Sequence, residues 1–155
     1  MYLRPAQSWG PRILVVDDDP QILIKIERIL RMNGFLSVAA ADGKAARALL
    51  AAQAVDLVLT DIFMPQCDGF ELIAAIRTME QPIPVIAMSG CESWTGLDFL
   101  DAANDLGASA VLRKPFAASL LLQLIGELLP HSDANAAAAP RSTPRTAIHT
   151  LRPIG

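Results

Sequence analysis

The sequence predicts an α/β domain built as a doubly wound, five-stranded parallel sheet. Three observations carry that prediction: five short apolar runs, a helix-like segment after each run, and caps, Gly or Pro at the joins. Strands separated by helices of this length need right-handed crossovers, which put helices on both faces of an open sheet.

The first strand is RILVVD, residues 12 to 17. Asp19 then caps a helix with Pro20 at its first position, and Gly34 ends it. The second strand is FLSVAA (35 to 40), after which Asp42 starts the second helix. The third, DLVLTD (56 to 61), reads as a core strand covered on both faces, yet it closes on an acid, Asp61. Asp68-Gly69-Phe70-Glu71 opens the third helix as a capping box with Asp in the Ser or Thr place. The fourth strand, PVIAMS (84 to 89), leads to a helix from about Leu97 to Leu106 that stops at Gly107. The fifth, SAVLRK (109 to 114), leads to a helix from about Ala117 to Leu129 that stops at Pro130.

Residues 12 to 130 thus form one domain, preceded by an extension, 1 to 11. Residues 131 to 155 are rich in Ala, Pro, Ser and Thr and hold too little apolar material for a second core, so a disordered tail is expected there. A chain of 155 residues with 52% hydrophobic residues and net charge −3 suits one core and lacks the basic excess that grips nucleic acid. DNA binding is therefore not expected. No apolar run reaches the roughly 18 to 20 residues that span a bilayer, and the first residues lack the apolar stretch of a signal peptide. A cytoplasmic location without membrane contact is the expectation. Cys67 and Cys91 are too few and too far apart for a disulfide framework or a zinc site, and read as free thiols.

In such a sheet the chemistry gathers outside the carboxyl ends of the strands. Those ends carry Asp17-Asp18-Asp19, Asp61, Ser89-Gly90 and Lys114-Pro115. Acids packed together there need a counter-ion, and oxygen-only ligands with room for water suit Mg²⁺. With Lys114 and Ser89 opposite, the pocket is built to hold a phosphoryl group.

The segments ILVVDDDP, LVLTDIFMPQCDGFEL, AMSG and LRKPF, in this order and approximate spacing, make the chain resemble the receiver domain of two-component response regulators over roughly residues 12 to 130. The resemblance implies a flavodoxin-like sheet in the order 2-1-3-4-5. It makes Asp61 the phosphoacceptor, which takes a phosphoryl group from a sensor histidine kinase or phosphotransfer protein. It makes Asp18 the direct Mg²⁺ ligand, Asp17 a ligand through water, and the Phe63 carbonyl the backbone ligand. Ser89 would bond the new phosphoryl group, and a cis Lys114–Pro115 peptide would aim the ammonium into the pocket. Such a protein is not an enzyme, although it assists its own phosphorylation and dephosphorylation.

Three features depart from the family pattern. Val111 stands where Tyr or Phe is usual, the stretch from Ser89 to Lys114 with Trp94 is longer than usual, and a tail follows the domain. The last implies a stand-alone receiver that signals by contact with a downstream protein or by passing the phosphoryl onward. On the fifth helix Ser119, Gln123 and Glu127 form a narrow polar arc, so the leucines exceed what one buried face needs. That excess predicts a homodimer or partner surface through helix 4, strand 5 and helix 5, with Asp98, Asp101 and Asp105 meeting Arg113. The kinase-facing surface is expected to include Ile22, Ile24 and Lys25. The alternatives are a receiver-like interaction module working without phosphorylation, and an aspartyl phosphatase of the haloacid dehalogenase type. The second lacks a further acidic pair after Lys114, where only Glu127 and Asp133 remain. A flavodoxin-like cofactor binder would need a Gly-rich phosphate loop after the first strand, where DDDPQ stands instead.

Overall fold

A computed structural model describes residues 10–65, 69–90 and 99–129. The elements alternate as expected: β1 (Arg12–Val16), α1 (Pro20–Met32), β2 (Leu36–Ala40), α2 (Gly43–Ala52), β3 (Leu57–Asp61), α3 (Gly69–Arg77), β4 (Val85–Ser89), α4 (Phe99–Asp105), β5 (Ala110–Arg113) and α5 (Ala118–Leu128). All pairings are parallel and the sheet order is β2-β1-β3-β4-β5. Each strand matches its expected span to within one residue at either end. The start expected for the fourth helix, Leu97, lies outside the described residues, as do the tail and the Asp68 cap.

Local chemistry explains the helix ends. The Asp19 carboxylate accepts the Gln21 N–H at 2.9 Å with Pro20 in the first turn, and the Asp42 carboxylate accepts the Ala45 N–H at 2.7 Å. Gly34 and Gly107 follow the ends of α1 and α4 at φ of +81° and +103°, the left-handed region that glycine enters without strain. A Cβ at Gly107 would also lie 2.8 Å from Arg77 Cδ, so the arginine side chain would have to shift. Arg77 in turn donates to the Ile83 carbonyl at 2.7 Å, which joins the end of α3 to the segment before β4.

Strand alternation divides the core in two. Leu14, Val16, Val58, Val85 and Ala87 face α2, α3 and α4, whose Ala46, Leu72, Ile73, Ile76 and Ala103 are buried against them. Ile13, Val15, Leu57, Leu59, Ile86, Met88 and Leu112 face α1 and α5 through Ile26, Leu30, Leu121 and Ile125. Every residue of β3 and β4 is buried, so these central strands give a rigid base to whatever their ends carry. Leu59→Ala should remove about 2–5 kcal/mol of stability by leaving a cavity under β3, measurable by urea unfolding.

On α5 the polar arc Ser119, Gln123 and Glu127 is exposed, as the wheel predicts. Leu121 and Ile125 are fully buried, and Leu124, Leu128 and Leu129 pack partly against the same cluster, so most of the apolar excess serves the sheet itself. Leu120 remains 37% exposed. A Cβ at Gly126 meets nothing within 4 Å. Gly126→Ala should therefore stabilise the domain by about 0.5–1 kcal/mol, read as a raised urea midpoint at constant slope. Among the described residues no helix is long and apolar enough to cross a membrane.

Candidate functional site

The strand order reverses between β1 and β3, and the acids lie just beyond the carboxyl ends of those two strands. Asp17 follows the last residue of β1, where its N–H still reaches the Ala40 carbonyl at 3.1 Å, and its side chain is 1% exposed. One carboxylate oxygen of Asp17 accepts the Asp19 N–H at 2.9 Å, and the other lies 2.5 Å from Lys114 Nζ. Asp18, the next residue, is exposed. Asp61 ends β3 and is 7% exposed, with its Oδ1 3.3 Å from the same ammonium. One oxygen from each of Asp17, Asp18 and Asp61 can be chosen so that all lie within 4.8 Å of one another.

This gathering has an electrostatic consequence. Burial raises the Asp61 carboxyl from its ordinary 3.8 to about 6, Lys114 opposes that rise, and Asp17 and then Asp18 reinforce it. Three carboxylates and one ammonium leave negative charge uncompensated in a half-buried pocket. An all-oxygen, partly exposed cluster of this kind fits a hard divalent cation that keeps some of its waters. The residues therefore fit the metal that the sequence suggests.

The other expected members occupy neighbouring positions. Ser89 ends β4, is 1% exposed, and accepts the Lys114 N–H on its backbone carbonyl at 2.9 Å, so the ends of β4 and β5 are held side by side. The Lys114–Pro115 peptide is cis. Phe63 is two residues past Asp61; its ring is 38% exposed and meets Phe70 edge to face at 6.4 Å, so the side chain faces the rim. Val111 lies on β5 at 36% exposure. Trp94, Cys67, Cys91 and Asp98 lie outside the described residues.

Two residues that sequence reasoning passed over also shape the site. The Thr60 hydroxyl donates to the Asp61 carbonyl at 2.9 Å, and Gly69 sits directly against the Asp61–Ile62 backbone. For Thr60 the available signal is a hydroxyl residue directly before the acid at the end of an apolar run. Gly69 was read only as part of a helix cap.

An open parallel sheet in the order β2-β1-β3-β4-β5, with a carboxylate cluster and its paired lysine outside the carboxyl ends of the strands, defines a flavodoxin-like α/β domain. The chain belongs to the response regulator receiver domain family, whose sequence model matches residues 13–126. It is similar to the transcriptional regulatory protein PrrA of Mycobacterium tuberculosis, 37% identical over 120 residues, which covers 77% of this chain and 50% of PrrA. It is similar also to the response regulator MprA of Mycolicibacterium vanbaalenii, 36% identical over 118 residues, or 76% of this chain and 50% of the relative. The chain thus spans about half the length of the curated relatives it matches. Among solved structures it resembles the chemotaxis protein CheY4 of Vibrio cholerae, with a TM-score of 0.70 and 28% identity over 77% of this chain and 99% of CheY4. The receiver domain of the Francisella response regulator 1452 gives a TM-score of 0.69 and 30% identity over 77% and 96% of the two chains.

Proposed function

We propose that the chain is a phosphoacceptor in two-component signalling, with Asp61 as the accepting residue and a histidine kinase or phosphotransfer protein as donor. The observation that carries this reading is the Asp17–Asp18–Asp61 cluster with Lys114 shared between two of its members. A carboxylate oxygen of Asp61 attacks the phosphorus of a phosphohistidine, the P–N bond breaks, and its electron pair returns to the imidazole, which takes up a proton. The product is an acyl phosphate at Asp61. When bound, Mg²⁺ neutralises charge on the transferring phosphoryl group, and Asp18, Asp17 and the Phe63 carbonyl are the groups that would hold it. Lys114 offers its ammonium to a phosphoryl oxygen, and Ser89 its hydroxyl. The chain's part is mostly positioning: β3 fixes the nucleophile, and the cis peptide follows the lysine that faces it. In this reading the protein turns over no substrate of its own, beyond assisting its phosphorylation and the hydrolysis of the acyl phosphate.

The output runs through surface contacts. Leu106, Val111 and Leu120, on or beside α4, β5 and α5, are 44%, 36% and 37% exposed, and Asp101, Asp105 and Arg113 are exposed on the same elements. They support a homodimer or partner surface there, checked by light scattering with and without phosphorylation. An unchanged monomer in both states would remove the homodimer. Val111 is too small to act as the rotating aromatic plug of the family, so coupling between Ser89 and this face runs without one. Ile24, 62% exposed on α1, with Lys25 beside it and Ile22 half-buried, supports the donor-docking side. The expectation of no DNA contact now concerns the receiver residues alone, because relatives matched over half their length are named transcriptional regulators.

Incubation with Mg²⁺ and acetyl phosphate, followed by intact mass measurement, tests the proposal. A single base-labile phosphoryl adduct that requires Mg²⁺ is expected. Its absence in protein shown separately to bind Mg²⁺, and to refuse transfer from a panel of phosphorylated histidine kinases, would reject the phosphoacceptor reading in favour of a phosphorylation-independent module.

A further inference from the structure

The main chain around Asp61 is held on every side that the structure describes. The Ile62 N–H donates to the Met88 carbonyl at 2.9 Å, which carries the β3–β4 ladder one residue past Asp61. The Asp61 carbonyl accepts the Thr60 hydroxyl at 2.9 Å. The Ile62 carbonyl accepts the Gly69 N–H at 2.8 Å. Gly69 itself is buried, and a Cβ on it would fall 2.2 Å from the Asp61 carbonyl oxygen and 2.8 Å from Ile62 Cα. Both neighbours are backbone atoms at the buried end of β3, so neither can swing aside as a flexible side chain would.

We propose that Gly69 is a positioning residue for the phosphoacceptor site: its missing side chain lets the start of α3 lie against the Asp61–Ile62 backbone and fixes the Asp61 carboxylate relative to the Phe63 carbonyl. This inference rests on the reading of Asp61, Asp18 and Phe63 as the Mg²⁺ site. The reason for glycine is contact, not backbone freedom, because Gly69 has no positive φ. Any larger residue pushes α3 and the end of β3 apart. A displacement of about half an ångström there moves both a carboxylate ligand and the neighbouring carbonyl, which Mg²⁺ tolerates poorly because it demands near-octahedral geometry.

Gly107 offers the control. A Cβ there also clashes, at 2.8 Å, but with Arg77 and not with the site. Gly69→Ala and Gly107→Ala, made in the full chain, are compared for thermal stability and for Mg²⁺ affinity by calorimetric titration. Both should melt earlier, but only Gly69→Ala should lose affinity, by about 10- to 100-fold, as supporting groups of a metal site do. Gly69→Ala protein that is folded and binds Mg²⁺ as wild type does overturns the inference while leaving the phosphoacceptor reading intact. Wild-type protein that binds no Mg²⁺ overturns both. Should Gly69→Ala not fold, amide exchange on the wild type decides: Mg²⁺ should slow exchange of the Gly69 N–H and leave that of Gly107 unchanged, and an unaffected Gly69 amide overturns the inference.

Discussion

Asp61→Asn should abolish phosphoryl acceptance and at the same time stabilise the metal-free protein at neutral pH. The first effect follows because an amide has no anionic oxygen to attack phosphorus. The second follows from the sign of the Asp61 titration. Its folded value, about 6, lies above the ordinary 3.8, so between these values the native state binds more protons than the unfolded state. Stability from this group is therefore fully present below about pH 4 and is lost as pH rises through 6. At pH 7.5 the ionised Asp61 costs on the order of 2–3 kcal/mol, since each pH unit of displacement corresponds to about 1.4 kcal/mol. Asparagine removes that cost and leaves Lys114 its closer partner, Asp17 at 2.5 Å. Urea unfolding in EDTA should show wild-type stability falling relative to Asp61→Asn as pH rises from 4.5 to 7.5. Parallel curves would mean that the Asp61 carboxyl titrates normally.

The second large effect is expected from Lys114→Met. The ammonium bridges Asp17 and Asp61, so its loss removes the only cation among the described residues that is paired with the cluster. Phosphorylation by acetyl phosphate should slow by about 10- to 100-fold, the worth of one hydrogen bond to a charged group, roughly 1.5–3 kcal/mol. Mg²⁺ affinity should rise instead, because the ammonium competes with the cation for the same carboxylates. A rate that stays at the wild-type value would remove Lys114 from the transferring phosphoryl group. Reduced Mg²⁺ affinity would point to a collapsed site.

What could be read from the sequence was local or periodic. The caps at Asp19 and Asp42 and the helix stops at Gly34 and Gly107 are contacts between near neighbours, and the structure has them where the sequence puts them. Asp17, Asp61 and Ser89 were legible as polar residues closing apolar runs, a pattern that burial alone would not produce. The packing of α5 was only partly legible, for the opposite reason. Its wheel shows how many leucines there are, but only tertiary packing shows that Leu124, Leu128 and Leu129 also lie against the sheet. The division of Lys114 between Asp17 and Asp61 depends on ångström differences between strands 97 and 53 residues removed from it in order, and no spacing rule carries that. Gly69 was hidden for the same cause. A glycine after an aspartate at a helix start is ordinary, and its need for contact appears only when β3 and α3 are brought together.

The most direct test of the account is to map the phosphorylated residue. Protein treated with Mg²⁺ and acetyl phosphate is reduced with borohydride, which converts an aspartyl phosphate to homoserine, and its peptides are sequenced by mass spectrometry. Homoserine at position 61, absent when Mg²⁺ is withheld, is the result the account predicts. Homoserine at position 17 or 18, or a phosphoryl group on Ser89 with Asp61 intact, would contradict it.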